Sequence, residues 1–350
     1  MTQLRTELGL GSRAPRALIT GITGMVGSHL AEYLLAKTDW EIYGLCRWRS
    51  PLNNVETLIP RINRRDRVYM LYGDLRDDLS IKAAVAEAQP DYVFHLAAQS
   101  YPQVSFSAPI DTLETNVQGT VRVLEAVLKT NKDAIVHVCS SSEVFGRVPK
   151  DKVPINEECS FHPASPYAIS KVGTDLVGRY YAEAFGLKTL TTRMFTHTGP
   201  RRGDVFAESS FAKQIALAEK GLIPPEVKVG NLNSLRTIAD VRDAVRAYHM
   251  LLTINPIAGA YYNIGGIHTC TVEDILKTLL ALSPRGNEIK ITVDPSRLRP
   301  IDADLQVPDT TKFSVHTGWK PEIPFQQTMK DLLDYWRDMI ERHGDAFLVR

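Results

Sequence analysis

The first half of the chain alternates short apolar runs with longer amphipathic stretches. The runs whose length and β-branched content suit strands are Ala17–Thr20, Glu41–Cys46, Val68–Tyr72, Tyr92–Leu96 and Ile135–Cys139. The stretches between them that show helical periodicity include Val26–Ala36, Ser80–Ala88 and Asp111–Lys129. Strands separated by helices are joined by crossovers, which place the strands parallel in one sheet and the helices on both of its faces. We therefore expect an α/β fold built on a doubly wound parallel sheet.

The alternation continues through a long helix over Pro166–Phe185 and a strand over Thr189–Arg193, and then becomes irregular as glycine and proline breaks increase. We predict a flexible leader, a nucleotide-binding domain, and a smaller mixed α/β substrate-binding lobe at the C-terminal side, over residues 1–15, 16–193 and 194–350. Near residues 231–264, the segments Asp240–Leu252 and Ala260–Ile264 again have helix and strand patterns. We expect these segments to return to the first domain, so that the two lobes interleave.

Three glycines follow the first predicted strand at the spacing GxxGxxG. Glycine permits a tight turn, a close approach of the backbone to a pyrophosphate, and close packing of the next helix, whose N-terminus attracts phosphate. An ordinary βα turn would also accept glycines, but the strand before and the helix after favour a dinucleotide site in a Rossmann sheet. The residues expected to line this turn are Gly21, Thr23, Gly24, Met25, Val26 and Gly27.

The end of the second strand indicates which dinucleotide binds. NAD-binding domains usually carry an acid there, which binds the ribose 2′-hydroxyl. In this chain Arg47 follows the strand, and a guanidinium suits a 2′-phosphate. NADP is therefore preferred over NAD, unless Arg47 and Arg49 form only a solvated basic edge. Further cofactor contacts are expected after the third and fourth strands, at Asp74, Leu75, Leu96, Ala97 and Ala98.

A tyrosine and a lysine lie one turn apart near the start of the long helix. Ser165 is a good N-cap and Pro166 suits the first helical position, so Tyr167 and Lys171 share one face. An ammonium beside a phenol stabilises the phenolate. We therefore expect Lys171 to lower the pKa of Tyr167 from its usual value of about 10 towards neutrality.

The fifth strand ends in a row of serines followed by an acid, Ser140–Glu143. The carboxyl ends of parallel strands are where an open α/β sheet forms its site. A serine-rich polar turn is the alternative, but it would not account for an acid directly before an apolar pair. We expect these side chains to join Tyr167 and Lys171 in a catalytic centre.

These motifs resemble those of the extended short-chain dehydrogenase/reductase family, in its nucleotide-sugar branch. The motifs GxxGxxG, LAAQS, SSSEVFG, YxxxK and RMFTHTGPRRG follow the family's order, and the resemblance covers most of Arg16–Tyr335. Within this branch the chain is most similar to the GDP-mannose 4,6-dehydratases. The resemblance implies an NADP-dependent lyase that converts a GDP-hexose to its 4-keto-6-deoxy sugar, with no net use of cofactor.

The resemblance also implies a catalytic set of Ser141, Glu143, Tyr167 and Lys171. Tyr167 would take the proton of the sugar C4 hydroxyl while hydride leaves C4, and Ser141 would hydrogen-bond O4. Glu143 would then remove the C5 proton and protonate the departing C6 hydroxyl, before hydride returns to C6. The related 4-epimerases usually lack an acid at this position.

Substrate and cofactor contacts follow from the same resemblance. The side chains implied to hold the sugar diphosphate are Ser100, Ser105, Ser141, Thr196, Lys213, Arg236 and Arg299. His197 and Arg202 would lie beside the cofactor, as would Tyr167 and Lys171. Family members often associate, so we expect a homodimer or homotetramer.

Some segments depart from the dehydratase pattern. Thr196 replaces the family's asparagine and Phe145 its tyrosine. Segments 231–243, 294–300 and 318–321 are closer to the GDP-4-keto-6-deoxymannose reductases. A 4-reductase and a dehydratase of GDP-manno-heptose are therefore alternatives. A non-catalytic dinucleotide-sensing module usually loses the Tyr/Lys pair, so the intact pair argues against that class.

Charge and cysteine usage limit the partners and the compartment. The net charge of +1 gives no electrostatic reason to expect a nucleic acid or membrane surface as partner. No apolar run approaches the roughly 20 residues that span a bilayer, and the N-terminus lacks the apolar segment of a secretory signal. The four cysteines are scattered without metal-ligand spacing. We expect free thiols, no metal site and a cytoplasmic enzyme.

Overall fold

The computed structural model describes residues 13–298 and 304–347. Its strands, in chain order, are β1 (Arg16–Thr20), β2 (Glu41–Cys46), β3 (Val68–Tyr72), β4 (Tyr92–His95), β5 (Ile135–Cys139), β6 (Lys188–Met194), β7 (His197–Thr198), β8 (Glu226–Val229), β9 (Leu235–Asp240), β10 (Tyr261–Ile264), β11 (His268–Thr271), β12 (Lys290–Val293) and β13 (Leu305–Gln306). Seven of them form one sheet in the order β10-β6-β5-β4-β1-β2-β3. Every pairing within it is parallel. The doubly wound Rossmann sheet is confirmed.

The α-helices lie between these strands, except for the last two, which follow β13. They are α1 (Met25–Lys37), α2 (Ile59–Arg64), α3 (Asp78–Ala88), α4 (Pro102–Ser107), α5 (Pro109–Leu113), α6 (Gly119–Thr130), α7 (Pro166–Phe185), α8 (Ala207–Glu219), α9 (Val241–Thr253), α10 (Val272–Ala281), α11 (Thr311–Thr317) and α12 (Phe325–His343). A π-helical turn joins α5 to α6. Within the described part of the chain, none of the helices has the length and apolar character needed to cross a membrane.

Apolar cores cover both faces of the large sheet. On one face, Leu30 and Leu34 of α1 pack with Val245 and Leu251 of α9. On the other face α3, α6 and α7 pack against the strands, through side chains that include Val123. Burying each such side chain contributes roughly 1.5–3 kcal/mol. The sheet is therefore held rigid beneath its carboxyl edge, where the loops of the site begin.

The second lobe has its own sheets and core. In one sheet β9 pairs with β7, β11 and β13, and β8 pairs with β12 in another. Its core includes Phe211 of α8, Leu276 of α10, and Leu332 and Trp336 of α12.

The chain passes between the lobes more than once. After β9 it returns to the Rossmann lobe, where α9 packs on α1 and β10 extends the large sheet beside β6. The return was expected near residues 231–264, but residues 235–240 form β9 in the sheet of the second lobe. The return therefore begins only at Val241, because the pairing partners of β9 lie in the second lobe.

The predicted leader is shorter than expected. Residues 1–12 lie outside the described residues, but Arg13 binds Asp91 through two hydrogen bonds of 2.7 and 3.0 Å. The carbonyl of Pro15 accepts a hydrogen bond from the amide of Glu41. Residues 13–15 are thus tied to the first sheet, and the expectation of a loose segment up to residue 15 is wrong at its end.

Candidate active site

A large cleft lies between the two lobes, above the carboxyl ends of the parallel strands. Its volume is about 1210 Å³, which exceeds that of an ordinary small-molecule pocket. The Rossmann lobe contributes the glycine turn, the ends of β4 and β5 and the start of α7. The second lobe contributes α8, part of β9 and the segment that includes Arg297.

The glycine turn forms one end of this cleft. Gly21 has φ of +75°, and a Cβ added there would lie 3.0 Å from the Cα of Ala97. A Cβ on Gly27 would lie 2.3 Å from the carbonyl oxygen of Gly21, so neither position accepts a side chain. Gly24 is the N-cap of α1, whose first turn carries no acid. Gly24, Met25 and Val26 line the cleft, so the N-terminus of α1 faces it without a first-turn charge that would repel phosphate.

A chain of buried hydrogen bonds begins at the end of β1. The hydroxyl oxygen of Thr20 accepts hydrogen bonds from the amides of Leu96 and Ala97, both at 3.0 Å. Its proton is therefore available to the Nδ1 atom of His95, 3.0 Å away. Burial lowers the pKa of His95 to about 3, so this imidazole is neutral and its Nε2–H donates to Thr120 at 3.0 Å.

This chain continues through the π-helical turn Glu114–Gln118 to the long helix α7. The Thr120 hydroxyl donates to the carbonyl of Asn116 at 2.6 Å, and the Asn116 amide donates to the Ser170 hydroxyl at 2.8 Å. Ser170 in turn donates to the carbonyl of Tyr167 at 2.7 Å. The position of α7 is thus linked by buried polar contacts to the strand end that precedes the glycine turn.

Helix α7 presents Tyr167 and Lys171 to the cleft. The Ser165 side chain caps the helix by accepting a hydrogen bond from Ala168 at 3.0 Å, and Pro166 occupies the first turn. The Lys171 ammonium donates to the carbonyl of Cys139 at 2.8 Å. It lies 5.9 Å from the centroid of the Tyr167 ring. Helix α7 is therefore fixed to the end of β5 by the same lysine that faces the phenol.

The ionisation of Tyr167 differs from expectation. Burial raises the pKa of Tyr167, whereas a hydrogen bond with Ser141 and the charge of Arg202 lower it. Burial also lowers the pKa of Lys171. We predicted that Lys171 brings the pKa of Tyr167 towards neutrality. The groups of the protein itself have the opposite net effect, so this prediction is wrong. The reason is that desolvation outweighs the charges around the phenol.

Ser141 and Glu143 lie on the short 3₁₀ turn that follows β5. The Ser141 hydroxyl accepts a hydrogen bond from the Glu143 amide at 3.2 Å, and both side chains line the cleft together with Tyr167. The turn ends at Gly146, with φ of +52°. A Cβ there would lie 1.7 Å from the carbonyl of His162, so only glycine fits this end of the turn.

Several other expected residues line the same cleft. They are Ser100, Thr196, His197, Arg202, Lys213 and Arg236. Burial lowers the pKa of His197 to about 4, so its neutral ring donates through Nδ1 to the carbonyl of Phe195 at 3.1 Å. The Arg202 guanidinium lies 3.4 Å from the centroid of the Phe206 ring and binds Glu208 at 3.2 Å. Lys213 binds Asp204 at 2.8 Å.

Other expected residues lie elsewhere. Ser105 is fully buried and its hydroxyl donates to the carbonyl of Pro102 at 2.5 Å. It does not line the cleft, so the expectation that Ser105 contacts the sugar is wrong. Arg299 lies outside the described residues.

The predicted adenosine end of the site is exposed. Arg47 lies on the surface after β2. Although partial burial of Asp74 opposes the effect, hydrogen bonds from Arg76 and the charge of Arg47 lower its pKa. Arg47 and Asp74 therefore lie close enough to interact after neighbouring strands.

Some cleft residues were not expected. Arg297 lines the cleft two residues before Arg299 and donates to Ser210 at 3.2 Å. The Asn54 amide donates to the carbonyl of Thr23 at 3.0 Å. Arg201 binds Glu32 of α1 through two hydrogen bonds of 2.7 and 3.0 Å and so joins the two lobes. Two of these lie in segments that the sequence analysis quoted, Arg297 in residues 294–300 and Arg201 in the motif RMFTHTGPRRG, whereas Asn54 had no sequence signal.

Comparison with known proteins places these features in a family. Residues 18–332 match the model of a family described as GDP-mannose 4,6 dehydratase. A GDP-6-deoxy-D-mannose reductase of Pseudomonas aeruginosa is 31% identical over 93% of this chain and 98% of its own length. A GDP-mannose 4,6-dehydratase of Vibrio cholerae is 31% identical over 94% of this chain and 95% of its own length. The solved structure of RMD from P. aeruginosa complexed with NADPH is 29% identical, with a TM-score of 0.77, and covers 93% of this chain and 99% of that one.

The charge of Arg202 can be tested through the pH dependence of turnover. Arg202→Gln removes a charge that lowers the pKa of Tyr167. Because a base must be deprotonated to accept a proton, the rising limb of kcat against pH should move to higher pH. Arg202→Lys retains a positive charge and should move the limb less. A limb that stays at the wild-type pH in Arg202→Gln would show that Arg202 does not act on the phenol.

Proposed function

The chain belongs to the GDP-mannose 4,6-dehydratase family, and from that premise we propose that it converts a GDP-hexose, with GDP-mannose as first candidate, to the 4-keto-6-deoxy sugar. It is an NADP-dependent nucleotide-sugar lyase of the short-chain dehydrogenase/reductase type. The observation that supports this activity best is that Glu143 lines the same cleft as Ser141, Tyr167 and Lys171.

The cofactor is NADP, and the residues of the Rossmann lobe fit it. The glycine turn leaves no room for side chains where a pyrophosphate approaches, and the first turn of α1 offers amide donors. Arg47 would bind the 2′-phosphate, and His197 and Arg202 would lie near the nicotinamide. When bound, NADP⁺ supplies the acceptor for the C4 hydride and gives the same hydride back at C6.

The first half of the proposed reaction oxidises C4. The Tyr167 phenolate accepts the proton of the C4 hydroxyl, and the Ser141 hydroxyl donates to O4 as the carbonyl forms. Lys171 holds α7 against β5 through Cys139, and its ammonium lies 5.9 Å from the centroid of the phenol ring. Because burial raises the pKa of Tyr167, positive charge around the phenol is needed for this step.

The second half eliminates water. Once C4 is a ketone, the C5 hydrogen becomes acidic, and the Glu143 carboxylate can remove it. The same carboxyl group then protonates the departing C6 hydroxyl, so that one water leaves and Glu143 ends ionised as it began. Return of hydride to C6 also requires one proton at C5, and the proton that Tyr167 took from the C4 hydroxyl would balance it and restore the phenolate. A carboxylate on a turn held at both ends is suited to this task, because proton transfer requires a fixed distance to the reacting carbon.

Cations of the second lobe would hold the diphosphate. Lys213, Arg236 and Arg297 line the cleft. Arg299 follows Arg297 by two residues in the sequence. Guanidinium and ammonium groups that converge on one end of a cleft suit two adjacent phosphates. Ser100 and Thr196 would contact the sugar.

A second candidate is reduction of a GDP-4-keto-6-deoxymannose. It is favoured by the P. aeruginosa reductase, which aligns with 93% of this chain. Reduction of a ketone requires a hydride and a proton donor but no base for a C5 hydrogen. The dehydratase is therefore the activity that requires a carboxylate such as that of Glu143 within the cleft.

Incubation with GDP-mannose and catalytic NADP⁺ separates the two activities. We expect a product lighter by one water, measured by mass spectrometry, without net change in NADPH absorbance. Glu143→Gln should still bind cofactor but lose water about 10²- to 10⁴-fold more slowly, since it lacks the base. A protein that leaves GDP-mannose unchanged and oxidises NADPH with the keto sugar would instead be the reductase. Unimpaired dehydration by Glu143→Gln would remove that residue from the mechanism.

Cofactor preference depends on Arg47. Arg47→Asp should lose hydrogen bonds to a charged group worth roughly 1.5–3 kcal/mol, which corresponds to roughly 10- to 100-fold weaker binding of NADP. NAD binding should be maintained, because an acid suits a free 2′-hydroxyl. The exposed neighbour Arg49, changed to Asp, is the matched control for net charge. Equal NADP-to-NAD affinity ratios in both variants and the wild type would contradict the assignment.

We propose that the enzyme is a cytoplasmic homodimer or homotetramer that binds neither nucleic acid nor membrane. All four cysteines are free thiols, as is usual in a reducing compartment. Ile169, Leu176 and Tyr180 share the outer face of α7 and are 51%, 48% and 56% exposed, which suits a two-fold interface. Light scattering should report a multiple of the chain mass, and Leu176→Glu should lower it. A monomeric wild type would exclude this assembly.

A further inference from the structure

A buried arginine that does not line the cleft lies behind the Ser142–Phe145 turn, which carries Glu143. Arg193 in β6 is 1% exposed. Its guanidinium binds both carboxylate oxygens of Asp175, at 2.8 and 3.2 Å, and donates to the carbonyl of Glu157 at 2.8 Å. The rings of Phe145, Phe161 and Tyr261 surround the same group, with centroids 5.5, 4.7 and 4.5 Å from its central carbon.

One side of this arrangement contacts helix α7. Asp175 lies on α7 one turn after Lys171 and two turns after Tyr167. It is fully buried, and the Arg179 guanidinium also lies 3.8 Å from its carboxylate. The two parallel hydrogen bonds from Arg193 therefore fix the rotation of α7 as well as its distance from β6.

The other side reaches the turn that carries Glu143. Phe145 follows Glu143 by two residues and is fully buried. Its ring lies 5.5 Å from the central carbon of the Arg193 guanidinium and 6.2 Å, by centroids, from the ring of Phe195. These contacts join the Ser142–Phe145 turn, which carries Glu143, to Arg193.

We propose that Arg193 is a positioning residue that sets the separation between the Tyr167–Lys171 face of α7 and the Glu143 carboxylate. This inference rests on the proposed dehydration, in which one sugar must meet the phenol at C4 and the carboxylate at C5 and C6. Arg193 acts through Asp175 on one side and through Phe145 on the other, and it touches neither sugar nor cofactor.

The chemistry of the contact indicates why arginine serves here. A planar guanidinium can bind a carboxylate with its edge while an aromatic ring covers its face, which a lysine ammonium cannot do in the same way. Apolar residues of similar volume often match or exceed a buried ion pair in stability. Fixed geometry between α7 and the Glu143 turn is a function that stability alone would not require.

The test compares Arg193→Met with Arg193→Met/Asp175→Leu, in which no buried charge is left unpaired. In both variants kcat for loss of water from GDP-mannose should fall by about 10²-fold, as expected for a misplacement near 1 Å. KM and NADP⁺ affinity should change little. Because hydride can still leave C4 while the C5 proton is removed slowly, reduced cofactor should accumulate during turnover. The absorbance of bound NADPH should report this accumulation in both variants, and the same accumulation is expected in Glu143→Gln.

A second measurement does not depend on turnover. Hydrogen exchange of the amides in residues 142–146 should become faster in both variants. Lys312→Met is the matched control, because Lys312 lies 4.1 Å from the centroid of the same Tyr261 ring on the exposed side of the group. That variant should keep wild-type exchange and kcat.

The outcomes distinguish the two proposals. If the wild type releases no water from GDP-mannose, the proposed function fails, and the exchange of residues 142–146 alone decides the role of Arg193. If the wild type is a dehydratase but the stable double variant shows wild-type exchange and no accumulated NADPH, the positioning role is refuted. Recovery of full kcat in the double variant would likewise reduce Arg193 to a stability role.

Discussion

The hydrogen bond from the Lys171 ammonium to the carbonyl of Cys139 joins helix α7 to the end of β5. Both elements position candidate catalytic residues, since α7 presents Tyr167 and β5 continues into the turn of Ser141 and Glu143. Ser140 adds a second link by donating to the carbonyl of Lys171 at 3.0 Å. The rest of the site depends on this junction, because a phenol and a carboxylate can act on one sugar only if their two elements keep a constant separation.

The side chains at this junction are buried, and burial disfavours the charged forms of its ionisable groups. Desolvation raises the pKa of Tyr167 and lowers the pKa of Lys171 and His197. Ser141 and Arg202 act in the opposite direction on the phenol. Burial therefore holds the Tyr167 phenol close to its neutral form, while a nearby donor and a nearby cation favour its ionisation. This balance suits a site in which negative charge should develop on the phenol only when a hydroxyl proton is to be taken.

Much of the fold could be predicted from local patterns, whereas the site could be predicted only in part. The spacing of Tyr167 and Lys171 predicts a shared helical face, and the serine row at the end of β5 predicts the position of Glu143. Ser105 belongs to a similar polar motif, yet its hydroxyl is used inside α4. Nothing local distinguishes Ser105 from Ser141, because the difference lies in which neighbours cover each hydroxyl.

The sequence by itself determined the order of strands and helices in the first half of the chain, the glycine turn and the residues available for chemistry, because these follow from periodicity and from local backbone sterics. Tertiary structure alone decided how those residues interact. It brought Arg193 of β6 against Asp175 of α7 and Phe145 of the Glu143 turn, and it reversed the expected pKa shift of Tyr167. These outcomes depend on distances and desolvation between segments far apart in the chain, and local sequence patterns do not specify either quantity.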